Sequence, residues 1–559
     1  MKTLWRYIDQ QSDDILKSLM ADRGITKQDD VDEFLSDRPR RTYDPMAIDG
    51  MKELVEKIAS AIKQNKNLVI AGDYDMDGIG AVSVLIEYLK PIMPQVQYYI
   101  PNRYTDGYGL SNGALDYIKN EMNGEIVLTV DNGISCYEQV EYGKSIGLDI
   151  IVTDHHNPPE KLPDCLLVDL KLNRDNYPFK ELCGCGIAFK ICQGLNTIYK
   201  IPKRKLLELT DIVALSTIAD VVSLTDENRT LVKFGLLQLK SGNRLGIREL
   251  CEALDMKVDE IKSGSIGFRL APCFNASGRM EDARLGVELL VTNDKKRAKE
   301  LANYLKQLND ERRSVQESGE EKCQELVERK YADDLFLVIR EDSVSEGVMG
   351  IIAGRLRDKY YRPTLVMTQT EKGVLKASGR SIDGIDLYEE MKSCEDLFIG
   401  YGGHANACGL SMEADYIDEL RSRLNSKMQK LNMEDKELYN PKIVLAGDVL
   451  PKDLDFDFLE LLEKMEPFGM GNPTPIFSMT EVKLENSYKK FCGNNEQHLR
   501  IQGYKDNLKI NGIGFSMSEY YRNIGEPSVV DLAFVPKINE WQGKKNIQLM
   551  LKDLRDSNE

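Results

Sequence analysis

Between Asn67 and Asp169 short apolar runs alternate with amphipathic stretches, and this alternation constrains the fold more than any other feature of the chain. Leu68–Ala71, Gln97–Ile100, Glu125–Val130, Asp149–Thr153 and Leu166–Val168 read as strands, whereas Gly80–Leu89, Ser111–Asn120 and Cys136–Ile146 have helical spacing. A strand–helix repeat of this kind predicts an α/β unit, a parallel sheet with helices on its faces. Helices dominate the next hundred residues, Lys203–Val222 the clearest of them. A charge-rich stretch from Leu285 to about Lys330, with Leu301, Leu305 and Leu308 at helical spacing, predicts a long connecting helix. A second mixed region follows to about Lys430, with strand-like Leu335–Ile339 and Thr364–Met367 around the helical Gly350–Asp358. Beyond Pro441, the alternating runs His498–Gln502, Lys509–Gly514, Val529–Pro536 and Asn546–Leu551 predict a small all-β domain.

Composition removes several classes. No apolar run approaches the ~20 residues of a membrane helix, and the start of the chain lacks the apolar core of a secretory signal, so a cytoplasmic protein that spans no membrane is expected. Eleven cysteines without a C-x-x-C pair argue against a disulfide framework or a zinc ribbon. The net charge of −17 requires any phosphate-binding surface to be local. A Walker A loop is absent, because Glu138 stands where the first glycine before Gly143-Lys144-Ser145 belongs.

Acidic clusters sit at the ends of the predicted strands. In Gly72-Asp73-Tyr74-Asp75-Met76-Asp77-Gly78, three carboxylates at alternate positions repel one another unless a cation neutralises them. The spacing begins like a calcium-binding EF-hand loop, but Val84 occupies the place of the closing Glu and a strand precedes it. Val130-Asp131-Asn132-Gly133 and Thr153-Asp154-His155-His156 end the next strands. Loops at the carboxyl ends of neighbouring parallel strands converge on one crevice, so Asp75, Asp77, Asp131 and His155 are placed to share ions. Carboxylates with an imidazole suit Mn²⁺, and an all-oxygen remainder suits Mg²⁺. Asp220, inside an apolar helical pattern, needs a cation or a donor once buried. Asn275-Ala276-Ser277-Gly278-Arg279, Ser378-Gly379-Arg380 and Gly402-Gly403-His404 surround a basic residue with small ones that let a phosphate approach.

The motif order D-x-D-G, D-N-G, D-H-H, A-D-V resembles the DHH phosphoesterases, and more specifically the RecJ single-strand-specific exonucleases. Pro101-Asn102-Arg103, Gly107-Tyr108-Gly109-Leu110, Gly347-Val348-Met349-Gly350 and Glu466-Pro467-Phe468-Gly469-Met470-Gly471-Asn472-Pro473 support the narrower resemblance, which runs from about residue 40 to the C-terminus. It implies a 1–50 N-terminal extension, a 51–284 DHH catalytic domain, a 285–330 connecting helix, a 331–435 DHH-associated α/β domain and a 440–559 OB-fold barrel. It implies a 5′→3′ exonuclease that takes single-stranded DNA to mononucleotides in recombination and repair, using two divalent ions, Mn²⁺ or Mg²⁺. Asp75, Asp77, Asp131, His155 and Asp220 are then the ligands, with Asp131 bridging and Asp73 as an extra ligand. Arg103, Tyr108, His156, Arg279, Ser378, Arg380 and His404 line the substrate path.

Two positions depart from the family pattern. Val344-Ser345-Glu346-Gly347 lacks the Trp and His of W-H-x-G, and Cys273 replaces a common Arg. Neither touches an expected ligand. Lys489, Lys490, Arg500, Lys544 and Lys545 are candidate contacts on the barrel, in a stretch (481–550) with ten Lys/Arg against eight Asp/Glu. The acidic net charge points to delivery of substrate by a single-strand-binding protein or a helicase. Two alternatives remain on residues alone: a phosphodiesterase of the same superfamily acting on short oligonucleotides or cyclic dinucleotides, and a non-catalytic DNA-binding replisome scaffold. The first needs no C-terminal barrel, and the second does not need a filled ligand set.

Overall fold

The computed structural model describes residues 3–9, 14–103, 109–174, 176–370, 373–485, 490–541 and 543–558. The predicted strands of the first region form one parallel sheet in the order Gln97–Tyr99, Leu68–Ala71, Ile126–Thr129, Asp149–Thr153, Leu166–Val168. Leu68–Ala71 and Ile126–Thr129 are buried along their whole length, so they read as unbroken apolar runs rather than as an alternation. Successive side chains enter opposite layers. Leu68, Ile70, Ile126 and Leu128 pack with helices Met51–Lys63, Met76–Leu89 and Gly184–Tyr199, while Val69, Ala71 and Val127 pack under Asn112–Asn120 and Tyr137–Ser145. From Leu68–Ala71 the chain first adds a strand on one side and then crosses to the other. The crevice at the carboxyl ends of Leu68–Ala71 and Ile126–Thr129 is therefore a topological switch point.

Two helical expectations are corrected. Lys203–Val222 is two helices, Lys203–Glu208 and Thr210–Ala219, divided where the Thr210 hydroxyl donates to the Leu207 carbonyl. Asp220 therefore caps a helix C-terminus instead of lying inside a helix, and Val221 beyond it has φ +59°. The connecting stretch breaks after Arg284–Val291, and Asp294 starts a second helix, Lys295–Lys330, by accepting the N–H groups of Lys296 and Arg297. Its 36 residues span about 54 Å.

That helix leads to a five-stranded mixed sheet in the order Phe398–His404, Ala407–Met412, Leu375–Arg380, Thr364–Gln369, Leu337–Arg340. The C-terminal region is a seven-stranded sheet in which Phe477–Leu484 pairs with both Val529–Trp541 and His498–Lys505, closing it into a barrel. Helices Phe456–Lys464 and Ser518–Asn523 accompany its strands.

Residues 1–50, expected as an extension, join this body in their described part. Leu4–Tyr7 pairs in parallel with Lys442–Leu445, and Leu19, Met20 and Phe34 enter the same core as Phe477, Val530 and Phe534. Arg229, on helix Asp226–Lys240 of the parallel-sheet module, fastens this composite body to the first sheet. Its guanidinium donates to the carbonyls of Phe34, Lys464 and Glu466 and lies 3.7 Å from the Phe34 ring centroid. Among the described residues no helix is long and apolar enough to cross a membrane.

Candidate metal centre and substrate cleft

At the switch point the chain turns through Asp73 and Asp75 into helix Met76–Leu89. Asp75 is the N-cap, its Oδ1 accepting the N–H groups of Asp77 (2.9 Å) and Gly78 (3.2 Å). Asp77, in the first turn, accepts the N–H groups of Gly184 (2.6 Å) and Cys185 (3.0 Å) at the start of helix Gly184–Tyr199. Two amides and the positive end of that helix thus fix one carboxylate. Residue 184 has to be glycine, because a Cβ there would lie 2.6 Å from the Asp131 Cβ. The Met76 N–H donates to Asn275 Oδ1 (2.7 Å), which gives part of the Asn275–Arg279 motif a structural use.

Asp131 follows Ile126–Thr129 with φ +62°, a left-handed conformation that Asp tolerates better than bulkier residues. Asn132 Nδ2 donates to the carbonyls of Ala71 and Val130, tying the two strand ends together. Asp154 is buried and accepts the N–H groups of Ile134, His155 and His156, and its Oδ1 lies 2.7 Å from His156 Nδ1. This orienting role is carried by the first letter of D-H-H, which sequence reasoning passed over in favour of the histidines.

The ligand atoms gather tightly. His155 Nε2 is 3.0 Å from Asp131 Oδ1 and 3.7 Å from both Asp77 Oδ2 and Asp220 Oδ2. Three groups have potential ligand atoms within 4.8 Å of one another: Asp77–His155–Asp220, Asp131–His155–His156 and Asp73–Asp75–Asp131. All six expected ligand residues are thus brought together, and His155 and Asp131 each belong to two groups.

The electrostatics favour a cation. Burial first, and then the neighbouring carboxylates, raises the pKa of Asp73, Asp75 and Asp131, and pushes Asp220 up to about 8. Burial lowers that of His155. Burial also acts to lower His156, but its hydrogen bond to Asp154 prevails and raises it to about 9. Asp73 Oδ1, His155 Nε2 and Asp220 Oδ2 are buried without a hydrogen-bond partner. Such orphaned donor atoms carry a large desolvation penalty, which cations relieve, and a carboxylate set with one or two imidazoles fits Mn²⁺ or Mg²⁺.

Beside the acids lies a basic wall, reached through Tyr74 between Asp73 and Asp75 and through Arg279, whose charge acts on Asp75. A cleft of about 550 Å³ is lined by Tyr74, Arg103 and Arg279 from the first module and by Ser378, Arg380 and Lys376 from the second. Arg279 donates to the Gly347 carbonyl (2.8 Å), bridging the modules, and burial and then Arg103 lower its pKa to about 10. Lys376, Ser378 and Arg380 alternate along strand Leu375–Arg380 and so share a face. Lys376 pairs with Glu346 (2.7 Å), a contact not foreseen from sequence.

His404, at the end of Phe398–His404, is exposed and is not among the residues lining this cleft, although Tyr401 of the same strand is. Tyr108 and Lys489 lie outside the described residues. On the barrel Arg500, Lys544 and Lys545 are exposed, while Lys490 donates to the Tyr521 hydroxyl. Of the departures, Val344 and Cys273 are buried in apolar packing and Ser345 is exposed.

Comparison with known proteins agrees with this anatomy. The DHH family, N-terminal domain, matches residues 67–217, the DHHA1 domain residues 333–430, and the RecJ OB domain residues 446–553. The single-stranded-DNA-specific exonuclease RecJ of Bacillus subtilis is 36% identical over 541 residues, covering 96% of this chain and 67% of the relative. The protein of the same name from Dickeya dadantii is 31% identical over 569 residues, covering 97% and 96%. The crystal structure of Thermus thermophilus RecJ in complex with Mn²⁺ superposes with a TM-score of 0.83 at 25% identity, over 99% of this chain and 80% of the other.

Proposed function

Because the chain belongs to the RecJ family of single-stranded-DNA-specific exonucleases, we propose that it removes 5′-mononucleotides from the 5′ end of single-stranded DNA by metal-dependent phosphodiester hydrolysis. The observation that carries this reading is a buried acidic donor set beside a basic cleft, the two meeting at Tyr74 and at Arg279, whose charge acts on Asp75. Two divalent ions, Mn²⁺ or Mg²⁺, fit the donors. Asp77, His155 and Asp220 would hold one, Asp73 and Asp75 would hold the other, and Asp131, within reach of both groups, would serve both. When bound, such ions activate water for in-line attack and stabilise the leaving oxygen.

The chain's own residues do the rest. Main-chain amides fix Asp75 and Asp77, so the donors are preorganised before substrate arrives. Asp154 orients His156 to hold a phosphate oxygen. The forks of Arg279 and Arg380, with the Ser378 hydroxyl, bind the non-bridging oxygens and offset the charge that grows on them. Single-strand selectivity is assigned to this cleft between the two modules. The modules proposed for these roles are 51–284 for catalysis, 285–330 as connector, 331–435 for phosphate binding and 440–559, with 1–50 against it, for holding the incoming strand. A cytoplasmic location, a role in recombination and repair, and delivery of the strand by a single-strand-binding protein or a helicase belong to the same proposal.

The test is digestion of single-stranded DNA labelled at either end, beside the matching duplex and a dinucleotide, with Mn²⁺ or a chelator. Release of a 5′-terminal mononucleotide from the single strand, and none in chelator, is expected. Cleavage of the dinucleotide alone would transfer the reading to a short-substrate phosphodiesterase, and binding without cleavage would transfer it to a scaffold.

A further inference from the structure

The donors differ in how they are held. Asp75 and Asp77 each accept two main-chain N–H groups, whereas Asp220 Oδ2 is buried without a partner. Asp220 also stands apart in origin, coming from a helix end rather than a strand end. Its aim therefore depends on the backbone of the turn 220–225, in which Val221 takes a left-handed conformation that a β-branched residue adopts only under constraint.

That turn is gripped from the other body. The Leu224 N–H donates to the Met470 carbonyl (2.8 Å), and the Leu224 side chain is buried. Gly469 and Gly471 approach so closely that a Cβ would lie 2.7 Å from Leu224 Cδ1 and 2.4 Å from Ser223 Oγ respectively. Gly471 has φ +70°. The gripping segment is itself rigid. Asn472 is fully buried, its Nδ2 donating to the carbonyls of Met465 and Pro467 (both 2.8 Å), and its Oδ1 accepting from Arg23 Nε (2.8 Å). From inside the catalytic module, Asn228 Nδ2 donates to the carbonyls of Ser223 and Glu181, tying the same turn to the segment that presents Gly184 and Cys185 to Asp77.

We propose that the Glu466–Pro473 segment, braced by Arg23 of the N-terminal region, is a positioning element for Asp220, so that the barrel body sets the geometry of one of the two cation sites. Asn472, Gly471 and the Met470 carbonyl are positioning groups and touch neither ion nor substrate. This rests on the assignment of Asp220 as a ligand in the preceding section.

The test is a Mn²⁺ titration of the full chain without DNA, followed calorimetrically and by electron paramagnetic resonance. Asn472→Ala should leave the first Mn²⁺ at wild-type affinity and weaken the second by about 10- to 100-fold, as loss of groups orienting a ligand commonly does. In turnover, kcat should fall with KM for DNA unchanged. Because Asn472→Ala can also loosen the barrel, Gly471→Ala is measured in parallel. It keeps those side-chain hydrogen bonds, strains its own left-handed backbone and presses on Ser223 Oγ (2.4 Å) and Thr225 Cγ2 (3.2 Å), and Gly471→Ala with Ser223→Gly should recover part of the lost Mn²⁺ affinity. Wild-type binding of both ions in Asn472→Ala and Gly471→Ala would overturn the proposal, as would equal weakening of both ions, or a double variant no better than Gly471→Ala. If the wild-type chain binds two ions and still leaves single-stranded DNA intact, the exonuclease reading fails while this inference stands.

Discussion

The parallel-sheet module and the body formed by the two chain ends solve opposite problems. The first assembles its site from loops that neighbouring strands bring together, and main-chain amides adjacent in the fold hold its carboxylates. The second is assembled from segments more than 400 residues apart, Leu4–Tyr7 against Lys442–Leu445, and none of its described residues belongs to the donor groups. It meets the turn beside Asp220 through the Met470 carbonyl and the close approach of Gly469 and Gly471. The difference teaches that a chain can concentrate its chemistry in one module while leaving the alignment of a ligand to another.

The sharpest way to break this comparison is at Asp131, which is common to two donor groups. Asp131→Asn keeps the size and the left-handed preference while removing the charge. Hydrolysis should fall by about 10³-fold or more, since loss of one preorganised electrostatic group commonly costs 10²–10³ and this residue serves two sites. The same variant should melt higher than wild type in chelator, because one of several mutually repelling buried carboxylates is gone. Retained turnover would remove the bridging role.

Arg229→Met tests the joint itself. It removes bonds to three carbonyls and the contact with Phe34, and should destabilise the chain by about 3 kcal/mol. Melting followed by the fluorescence of Trp5 and Trp541, both in the terminal body, should then separate from the transition of the catalytic module. Coincident transitions would mean that the bodies unfold as one without this arginine.

The pH dependence sharpens the electrostatic half. Asp220 has a folded pKa near 8, raised above its ordinary 3.8, so the metal-free folded chain binds more protons than the unfolded chain between those values. Stability in chelator should therefore fall as pH rises from about 4 to about 8 and flatten above, and saturating Mn²⁺, which requires deprotonated ligands, should reverse that slope. Denaturant melts at a series of pH values, with and without Mn²⁺, give the answer. A smaller effect is expected on the basic wall. Arg380→Lys loses the fork but keeps the charge, so kcat on single-stranded DNA should fall about tenfold. A rise in KM with kcat unchanged would restrict Arg380 to ground-state binding.

Much of the catalytic module was legible in the sequence because its order is local. Each strand is an apolar run ended by an acidic motif, and topology alone brings Asp75, Asp77, Asp131 and His155 into one crevice. The helix end at Ala219 was not legible, because the apolar pattern continues through Val221 and Val222 while the turn that follows is held by the Leu224 N–H on the distant Met470 carbonyl. Asp154 was underread because a buried carboxylate that accepts main-chain amides looks, in sequence, like any residue after a strand. The parallel pairing of Leu4–Tyr7 was invisible for a simpler reason, since a four-residue strand carries no mark of a partner so distant in the chain. The Glu466–Pro473 motif was recognised as a string of residues, yet its purpose appears only once Gly471 is seen against Ser223.

The most direct test of the central claim is to locate Mn²⁺ by anomalous scattering in crystals of the full chain soaked with the ion. Two ions are predicted, one among Asp73, Asp75 and Asp131 and the other among Asp77, His155 and Asp220, with Asp131 touching both. A single ion, or two ions with Asp220 left uncoordinated, would contradict the account.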